Sequence, residues 1–187
     1  MKVIILGSTG ILGKTLYLFL KSKKTIKLYC ISRKKVNKNK KNFIINNFSN
    51  FNKLNKKISQ IQPTHIVNCI GVTKFNKSNK DKMITMKINT DLPKFIANYC
   101  LKKNIKFIHV STDCVFSGKK GNYRENSIKD SKDLYGLTKS RGEVKNKCTA
   151  TIRTSFIGPE YSSNKSLLSW FLSRNSQVKG FSRAFFS

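Results

Sequence analysis

Gly7-Ser8-Thr9-Gly10-Ile11-Leu12-Gly13 directly follows an apolar run at residues 3–6 and opens an amphipathic stretch. Three glycines at this spacing permit a tight turn, a close backbone approach to a pyrophosphate and close packing of a helix on a strand. The free N–H groups at the start of that helix attract anions. The stretch therefore predicts a dinucleotide-binding turn, with a purely structural turn as the alternative. The predicted cofactor-binding residues of the turn are Gly7, Thr9, Gly10, Ile11, Leu12 and Gly13.

Outward from this turn, the chain alternates short apolar runs with longer amphipathic stretches. The predicted strands cover residues 3–6, 26–31, 43–45, 65–70, 106–110 and 150–153. The predicted helices cover residues 11–22, 51–60, 83–103 and 134–147, with a short one at 167–172. Continuously apolar strands that alternate with helices are typical of parallel sheets covered on both faces. The predicted fold class is α/β, a doubly wound parallel sheet of the Rossmann type.

The length of 187 residues suits one domain, or one domain and the start of another. After Gly158 the pattern changes to a proline and a serine-rich stretch, and the chain ends on the apolar Phe185-Phe186-Ser187. We expect a dinucleotide-binding domain over residues 1–157. We expect residues 158–187 to be the start of an incomplete substrate-binding region, in a chain truncated at its C-terminus.

The charge is lopsided, since 38 Lys and Arg against 8 Asp and Glu give a formal net charge of +30. Clustered cations can serve a polyanionic partner, but here lysine is spread through the chain among many asparagines, which favours a drift in composition and predicts no specific nucleic-acid partner. Five widely spaced cysteines and two single histidines, His65 and His109, indicate neither disulfides nor a metal site. No run approaches the ~20 apolar residues of a membrane span, so we expect a cytoplasmic protein without a membrane partner.

The choice of cofactor depends on the end of the second predicted strand. An acid there binds a free ribose 2′-hydroxyl, whereas a cation accommodates a 2′-phosphate. The chain reads Ser32-Arg33-Lys34-Lys35 and has no acid at this point. Ser32 and Arg33 are therefore predicted cofactor-binding residues that favour NADP, with NAD still possible and a solvated basic turn as the alternative.

Tyr135-Gly136-Leu137-Thr138-Lys139 begins a predicted helix, so Tyr135 and Lys139 lie on one face, one turn apart. A free tyrosine has a pKa of ~10, and a neighbouring ammonium stabilises the phenolate and makes the hydroxyl a better acid at neutral pH. The pair predicts an acid–base centre, with an ordinary exposed helical turn as the alternative.

Taken in order, the glycine turn, Asn89, Thr112 and the Tyr135/Lys139 pair resemble the extended short-chain dehydrogenase/reductase family. The segments 109–118, 133–143 and 152–155 are more narrowly similar to the dTDP-4-dehydrorhamnose reductase branch. The resemblance implies that Tyr135 is the acid/base and that Lys139 binds the nicotinamide ribose and tunes Tyr135. It also implies that Thr112 hydrogen-bonds near the reacting oxygen and that Asn89 positions the catalytic lysine.

Further residues follow from the same resemblance. The segment Cys69-Ile70-Gly71 matches the part of the family that passes along the cofactor. Asn47 and Phe48 stand where relatives carry an acid beside the adenine, and this departure puts the adenine contacts in doubt. Asp113 would help Thr112 to hold the sugar, and Phe156 replaces a tryptophan that often lines the sugar pocket.

The implied function is NADP-dependent reduction of a 4-keto sugar nucleotide on the way to a deoxysugar of surface polysaccharide. The implied partners are the nucleotide-sugar substrate and a second copy of the chain in a homodimer. Two alternatives stay open. One is an epimerase or dehydratase of the same superfamily. The other is a non-catalytic dinucleotide-binding protein on the same scaffold.

Overall fold

A computed structural model describes residues 1–34, 41–73, 81–158 and 167–180 of the chain. The described residues form one sheet of six parallel strands in the order β3-β2-β1-β4-β5-β6. The strands are β1 Lys2–Leu6, β2 Lys27–Ser32, β3 Asn42–Ile44, β4 His65–Asn68, β5 Lys106–Ser111 and β6 Thr149–Arg153. The predicted doubly wound α/β class is confirmed. The order reverses between β1 and β4, which is where sheets of this kind bind ligands at the carboxyl ends of their strands.

The helices are α1 Ile11–Lys21, α2 Phe51–Ile61, α3 Lys82–Met86, α4 Leu92–Lys103, α5 Leu134–Gly142 and α6 Leu167–Leu172. Local sequence explains several of their ends. The Asn50 side chain caps α2 by accepting a bond from the backbone N–H of Lys53 at 3.1 Å. Gln62 after α2 and Asn104 after α4 adopt left-handed backbone conformations, with φ of 50° and 53°, and such residues commonly end helices.

Helices cover both faces of the sheet, because alternate residues of β1 point to opposite sides. Ile4 and Leu6 are fully buried with residues of α2 and α4, in the larger of two apolar clusters. Ile5 is buried on the other face with Tyr17 of α1 and Cys30 of β2. These clusters hold the strands in register, so the carboxyl ends of β1, β2, β4 and β5 meet at one edge.

The helix expected over residues 83–103 is interrupted. Between α3 and α4 lies one turn of π-helix, Lys87–Asp91, in which the buried residues are Ile88, Asn89 and Thr90. Pro93 stands in the first turn of α4, where its missing N–H does no harm. The apolar periodicity of the two α-helical segments is that of a single helix, so the extra residue of a π-turn leaves no clear trace in the pattern.

Two expected elements end earlier than predicted. The strand β4 stops at Asn68, whose side-chain oxygen accepts a bond from the N–H of Ile70 at 3.1 Å and turns the chain. The helix α5 stops at Gly142 rather than at residue 147. Glu143 takes an extended conformation there, and its carboxylate binds residues at the ends of β5 and β6.

The chain divides into two compact units, Met1–Ser155 and Phe156–Ser187. The first contains the whole sheet. In the described part of the second unit, every residue of α6 is at least partly exposed, and the Arg174 guanidinium lies 5.2 Å from the centre of the Trp170 ring. Within the described residues, none of the helices is both long and apolar enough to span a membrane.

Candidate active site

The glycine turn joins the end of β1 to the start of α1. Gly7 has a φ of +81° and donates its N–H to the Ile31 carbonyl of β2 at 2.9 Å. A Cβ at Gly13 would lie 2.3 Å from the Gly7 carbonyl oxygen, so helix and turn pack backbone to backbone. A Cβ at Gly10 would meet only that same oxygen, at 3.5 Å. The fold itself requires glycine at positions 7 and 13, whereas position 10 leaves open space in front of the helix.

That open space faces the N-terminus of α1. Gly10 is the residue that precedes the helix, and among the described residues no side chain caps it. The N–H groups of the first helical turn have no partner within a helix, and Ile11, Leu12 and Gly13 supply three of them. Together with the partial positive charge of the helix end, they suit a phosphate.

Ser32 and Arg33 stand at the end of β2, beside the turn. The Ser32 side chain is buried, and its hydroxyl donates to the Lys34 carbonyl. Arg33 is exposed and comes two residues after Ile31, whose carbonyl holds Gly7. Lys35, the third cation of this stretch, lies outside the described residues. Arg33 is thus an exposed residue two positions after the backbone contact between β2 and the glycine turn.

The segment after β4 also borders the turn. Cys69 donates its N–H to the Leu6 carbonyl at 2.9 Å, and a Cβ on Gly7 would lie 3.0–3.1 Å from atoms of Cys69 and Ile70. Gly71 follows on the exposed side. Cys69 and Ile70 therefore lie against the predicted turn, whereas a Cβ at Gly71 would lie 3.6 Å from Oδ1 of Asn89.

Asn47 and Phe48, after β3, have different surroundings. Asn47 is exposed, and its side-chain oxygen accepts a bond from the N–H of Ser49 at 2.8 Å. The Phe48 side chain is 5% exposed and packs in the larger apolar cluster. The Phe48 side chain is therefore part of the core and not a free surface for an adenine.

Tyr135 and Lys139 occupy the first half of α5, which Asp133 caps through the N–H of Gly136 at 2.8 Å. Tyr135 is half-buried. Lys139 is only 4% exposed, and its Nζ donates to the Val110 carbonyl of β5 at 2.7 Å. Burial lowers the pKa of Lys139 to about 8, although the nearby Glu143 and Cys69 oppose that effect. A lysine in this state can give up or hold a proton near neutral pH.

Thr112 and Asp113 follow β5 at the same edge of the sheet. The Thr112 hydroxyl donates to the Asp113 carboxylate at 3.1 Å and accepts the N–H of Cys114 at 3.2 Å. Thr112 is 5% exposed, while Asp113 is exposed. The hydroxyl is thus fixed at the end of the strand that also holds Lys139.

Asn89 is buried in the π-turn and bonds to two other segments, while its role in positioning Lys139 stays a prediction. Its side chain accepts the N–H of Val72 at 2.8 Å, donates to the Val72 carbonyl at 3.0 Å and donates to the Thr138 hydroxyl at 3.1 Å. Thr90 adds a bond from its hydroxyl to the Thr138 carbonyl at 2.8 Å. The π-turn therefore ties the segment after β4 to the helix that carries Tyr135 and Lys139.

Sequence reasoning missed a charged cluster behind Lys139. The Glu143 carboxylate accepts bonds from Ser111, Arg153 and Lys129. Burial alone would raise the pKa of Glu143, but these bonds outweigh it and hold the pKa at about 2. The four-residue spacing of Lys139 and Glu143 at the end of α5 is the sequence signal that could have indicated this cluster. Arg153 joins it only through the fold.

His109 of β5 is a buried histidine next to the site. His109 is 1% exposed, and its Nδ1 lies 3.2 Å from the Asn68 side-chain nitrogen. Burial and the Lys139 charge lower the pKa of His109 to about 3, so the ring is neutral. Among the described residues, no group of three or more His, Cys, Asp or Glu side chains is placed to share a metal ion. Phe156 belongs to the second unit, where its side chain is 51% exposed.

The chain is similar in sequence to known proteins. The dTDP-4-dehydrorhamnose reductase of Aggregatibacter actinomycetemcomitans is 27% identical over 128 residues, which are 66% of this chain and 44% of that protein. Methionine adenosyltransferase 2 subunit beta of Bos taurus is 28% identical over 142 residues, which are 76% of this chain and 41% of that protein.

Among solved structures, a dTDP-4-dehydrorhamnose reductase from Bacillus anthracis in complex with NADP matches with a TM-score of 0.72 and 26% identity. The match covers 88% of this chain and 56% of that one. The chain therefore spans about half the length of the relatives it matches. The family described as RmlD substrate binding domain matches residues 1–179, and the chain belongs to that family.

Proposed function

We propose that this chain is the dinucleotide-binding part of an NADP-dependent reductase that acts on a 4-keto sugar nucleotide. The observation that carries the proposal is the buried Lys139, one turn after Tyr135 and bonded to the end of β5. That placement puts an acid–base pair at the sheet edge where the glycine turn lies. The relatives named as dTDP-4-dehydrorhamnose reductases support the choice of substrate class.

The described residues fit a dinucleotide. Gly10 leaves space that none of the described residues fills, in front of N–H groups that no described side chain caps and that suit a pyrophosphate. Arg33 is exposed at the point where a 2′-phosphate would lie. The Bacillus anthracis reductase contains NADP, and this supports NADP over NAD here.

When bound, the cofactor would supply the hydride that reaches C4 of the sugar. Tyr135 would donate its hydroxyl proton to the oxygen that gains charge at the same carbon. The Lys139 ammonium would stabilise the resulting phenolate, and Thr112 would orient the reacting oxygen by a hydrogen bond. Asp113, which now accepts the Thr112 hydroxyl, would hold a sugar hydroxyl.

A non-catalytic binding subunit is the second candidate. The similarity to methionine adenosyltransferase 2 subunit beta favours it, since that match extends over 76% of this chain. A binding subunit would take up the dinucleotide without consuming it, so the two candidates differ in turnover rather than in cofactor affinity. For either candidate we propose a cytoplasmic location. We also propose a second copy of the chain as partner, and light scattering of the purified chain would test for this dimer.

The cofactor proposal is tested by fluorescence titration of the chain with NADPH and NADH at fixed ionic strength. We expect tighter binding of NADPH, and we expect Arg33→Asp to reverse the order. Lys27→Asp is the matched control, because Lys27 is exposed at the opposite end of the same strand. If the control reversed the order as well, the general positive field and not Arg33 would decide the preference.

The catalytic proposal is tested by following NADPH absorbance with a dTDP-linked 4-keto-6-deoxy sugar. Tyr135→Phe should keep NADPH affinity within about twofold while reduction falls by on the order of a hundredfold or more. Full turnover by this variant would exclude Tyr135 as the acid. NADPH binding without consumption would favour the binding subunit only in a protein that joins this chain to a complete substrate-binding part, because the 187-residue chain is expected to lack one.

A further inference from the structure

The carboxylate of Glu143 is held by three parts of the molecule. Ser111 at the end of β5 donates its hydroxyl to Oε1 at 2.7 Å. Arg153 at the end of β6 donates from Nε to Oε1 at 2.9 Å and from Nη2 to Oε2 at 2.8 Å. Lys129, from the loop before α5, donates to Oε2 at 3.1 Å. The Glu143 side chain is only 7% exposed, so this is a buried carboxylate with a fixed position.

Arg153 is itself fixed by groups other than Glu143. Its Nη1 donates to the Glu125 carbonyl at 2.9 Å, and its guanidinium lies 5.1 Å from the centre of the Phe116 ring. A bidentate guanidinium that is anchored at its other face holds a carboxylate with little freedom. The Glu143 charge therefore stays at one point relative to β5.

Lys139 stands one helical turn before Glu143. Its Nζ bonds to Val110, the residue next to the Ser111 that binds Glu143. The ammonium donates to a neutral carbonyl and is 4% exposed. A buried ammonium is stabilised by an opposite charge nearby, even one that it does not touch.

We propose that Glu143 is a positioning residue for Lys139: its carboxylate, fixed by Ser111 and Arg153, is the buried counter-charge that holds the Lys139 ammonium against the Val110 carbonyl. The role assigned to Lys139 in reduction rests on the proposed function. The effect of Glu143 on the ionisation of Lys139 is a property of the cofactor-free chain. It can therefore be measured without any cofactor.

The titratable and charged groups around Lys139 come from several elements. Glu143 on its own helix raises the pKa of Lys139, and Cys69 after β4 does the same. His109 of β5 is neutral and feels both charges, since Lys139 lowers its pKa and Glu143 raises it. Arg153 and Lys129 are cations that bond directly to the Glu143 carboxylate. Glu143 is the anion among these neighbours at neutral pH.

The sign of one shift separates this role from a merely structural one. If Glu143 supplies the counter-charge, Glu143→Gln keeps the burial of Lys139 but removes its anion, and the Lys139 titration midpoint falls. If Glu143 only holds the fold together, its loss admits water around Lys139, and the midpoint rises from about 8 toward the ordinary 10.5. The two roles predict shifts in opposite directions.

The experiment follows the Cε/Nζ resonance of Lys139 through a pH titration of the isotope-labelled, cofactor-free chain. The resonance is identified by its absence in Lys139→Met. We expect Glu143→Gln to lower the midpoint by about one pH unit, a tenfold loss of proton affinity. Glu143→Asp, which keeps the charge, should restore most of that loss.

Asp91→Asn is the matched control. It removes one carboxylate whose side chain is 47% exposed and which pairs with Lys87 at 3.9 Å, and it should leave the midpoint unchanged. A midpoint that rises in Glu143→Gln, or that moves equally in both variants, overturns the proposal.

If Glu143→Gln does not fold, Ser111→Ala removes only the bond that fixes the carboxylate to β5. The midpoint should then fall by a few tenths of a unit, and an unchanged or raised midpoint overturns the proposal. A failure to bind NADPH would refute the proposed function and leave this result intact.

Discussion

The buried charge of Lys139 lowers the stability of the folded chain. Burial lowers its pKa from 10.5 to about 8, and this difference corresponds to about 3 kcal/mol that the folded chain loses below pH 8. We expect Lys139→Met to raise the free energy of unfolding at pH 7 by up to that amount. Urea unfolding of both proteins measures the difference.

The pH dependence of that gain gives a sharper check. Between pH 8 and 10.5 the unfolded chain binds more protons at this lysine than the folded chain does, so wild-type stability rises with pH there relative to the variant. The advantage of Lys139→Met should therefore be full below pH 8 and shrink above it. Lys132→Met, at an exposed site next to α5, should show neither effect. If the extra stability of Lys139→Met stayed constant up to pH 10.5, removal of a buried charge would not be its cause.

Gly10 and Gly13 of the glycine turn have different expected roles, one in binding and one in packing. Gly10→Ala places a methyl group where the protein has room, so stability should stay within about 1 kcal/mol of wild type. The same methyl group fills the space in front of the α1 N–H groups, and NADPH affinity should fall tenfold or more. Gly13→Ala drives a Cβ to 2.3 Å from the Gly7 oxygen and should cost about 2 kcal/mol or more in stability.

Thermal unfolding and NADPH titration of the two variants together decide this assignment. Unchanged affinity in a well-folded Gly10→Ala chain would show that no ligand approaches the backbone at that point. Equal losses of stability in both variants would show that the turn is structural throughout.

At the scale of elements, the hydrogen bonds of the π-turn give it a structural role. Asn89 is 1% exposed and satisfies both backbone groups of Val72. Asn89→Ala leaves a buried N–H and a buried carbonyl without partners, and we expect it to lower the free energy of unfolding by about 2–3 kcal/mol. Asn98→Ala, the same change on the exposed face of α4, should be neutral or slightly stabilising. Denaturant unfolding measures both variants. Equal losses in the free energy of unfolding would contradict this role of Asn89.

Which elements could be predicted depends on how local their causes are. The strands and the glycine turn follow from apolar runs and from residues a few positions apart, and the predicted strand positions agree with the sheet to within two residues. The π-turn is stabilised by Val72 and Thr138, which are 17 and 49 positions away from Asn89. The end of α5 is likewise set by Ser111, 32 positions before Glu143. Contacts over such separations leave no periodic pattern to detect.

At the scale of the molecule, the net charge of +30 says less about the site than a few buried charges do. Most of the described lysines are exposed, whereas Lys139 and Glu143 are enclosed where a low dielectric strengthens their fields. The Tyr135/Lys139 pair could be predicted because helix geometry alone brings its members together. The environment of Lys139 could not, since it is made by β5, β6 and the loop before α5.

The unit Met1–Ser155 contains the sheet, the glycine turn, Arg33, the Cys69–Gly71 segment and the Tyr135/Lys139 pair. We therefore expect a chain ending at Ser155 to fold cooperatively and to bind NADPH within about twofold of the affinity of the 187-residue chain, since binding energy should come from the residues that contact the ligand. Titration of both chains under the same salt conditions, with Gly10→Ala in each as a matched control for non-specific binding, measures the ratio. A loss of tenfold or more on removing residues 156–187, with the shorter chain still folded by circular dichroism, would show that the second unit contributes directly to the cofactor site and that the site extends beyond the sheet edge.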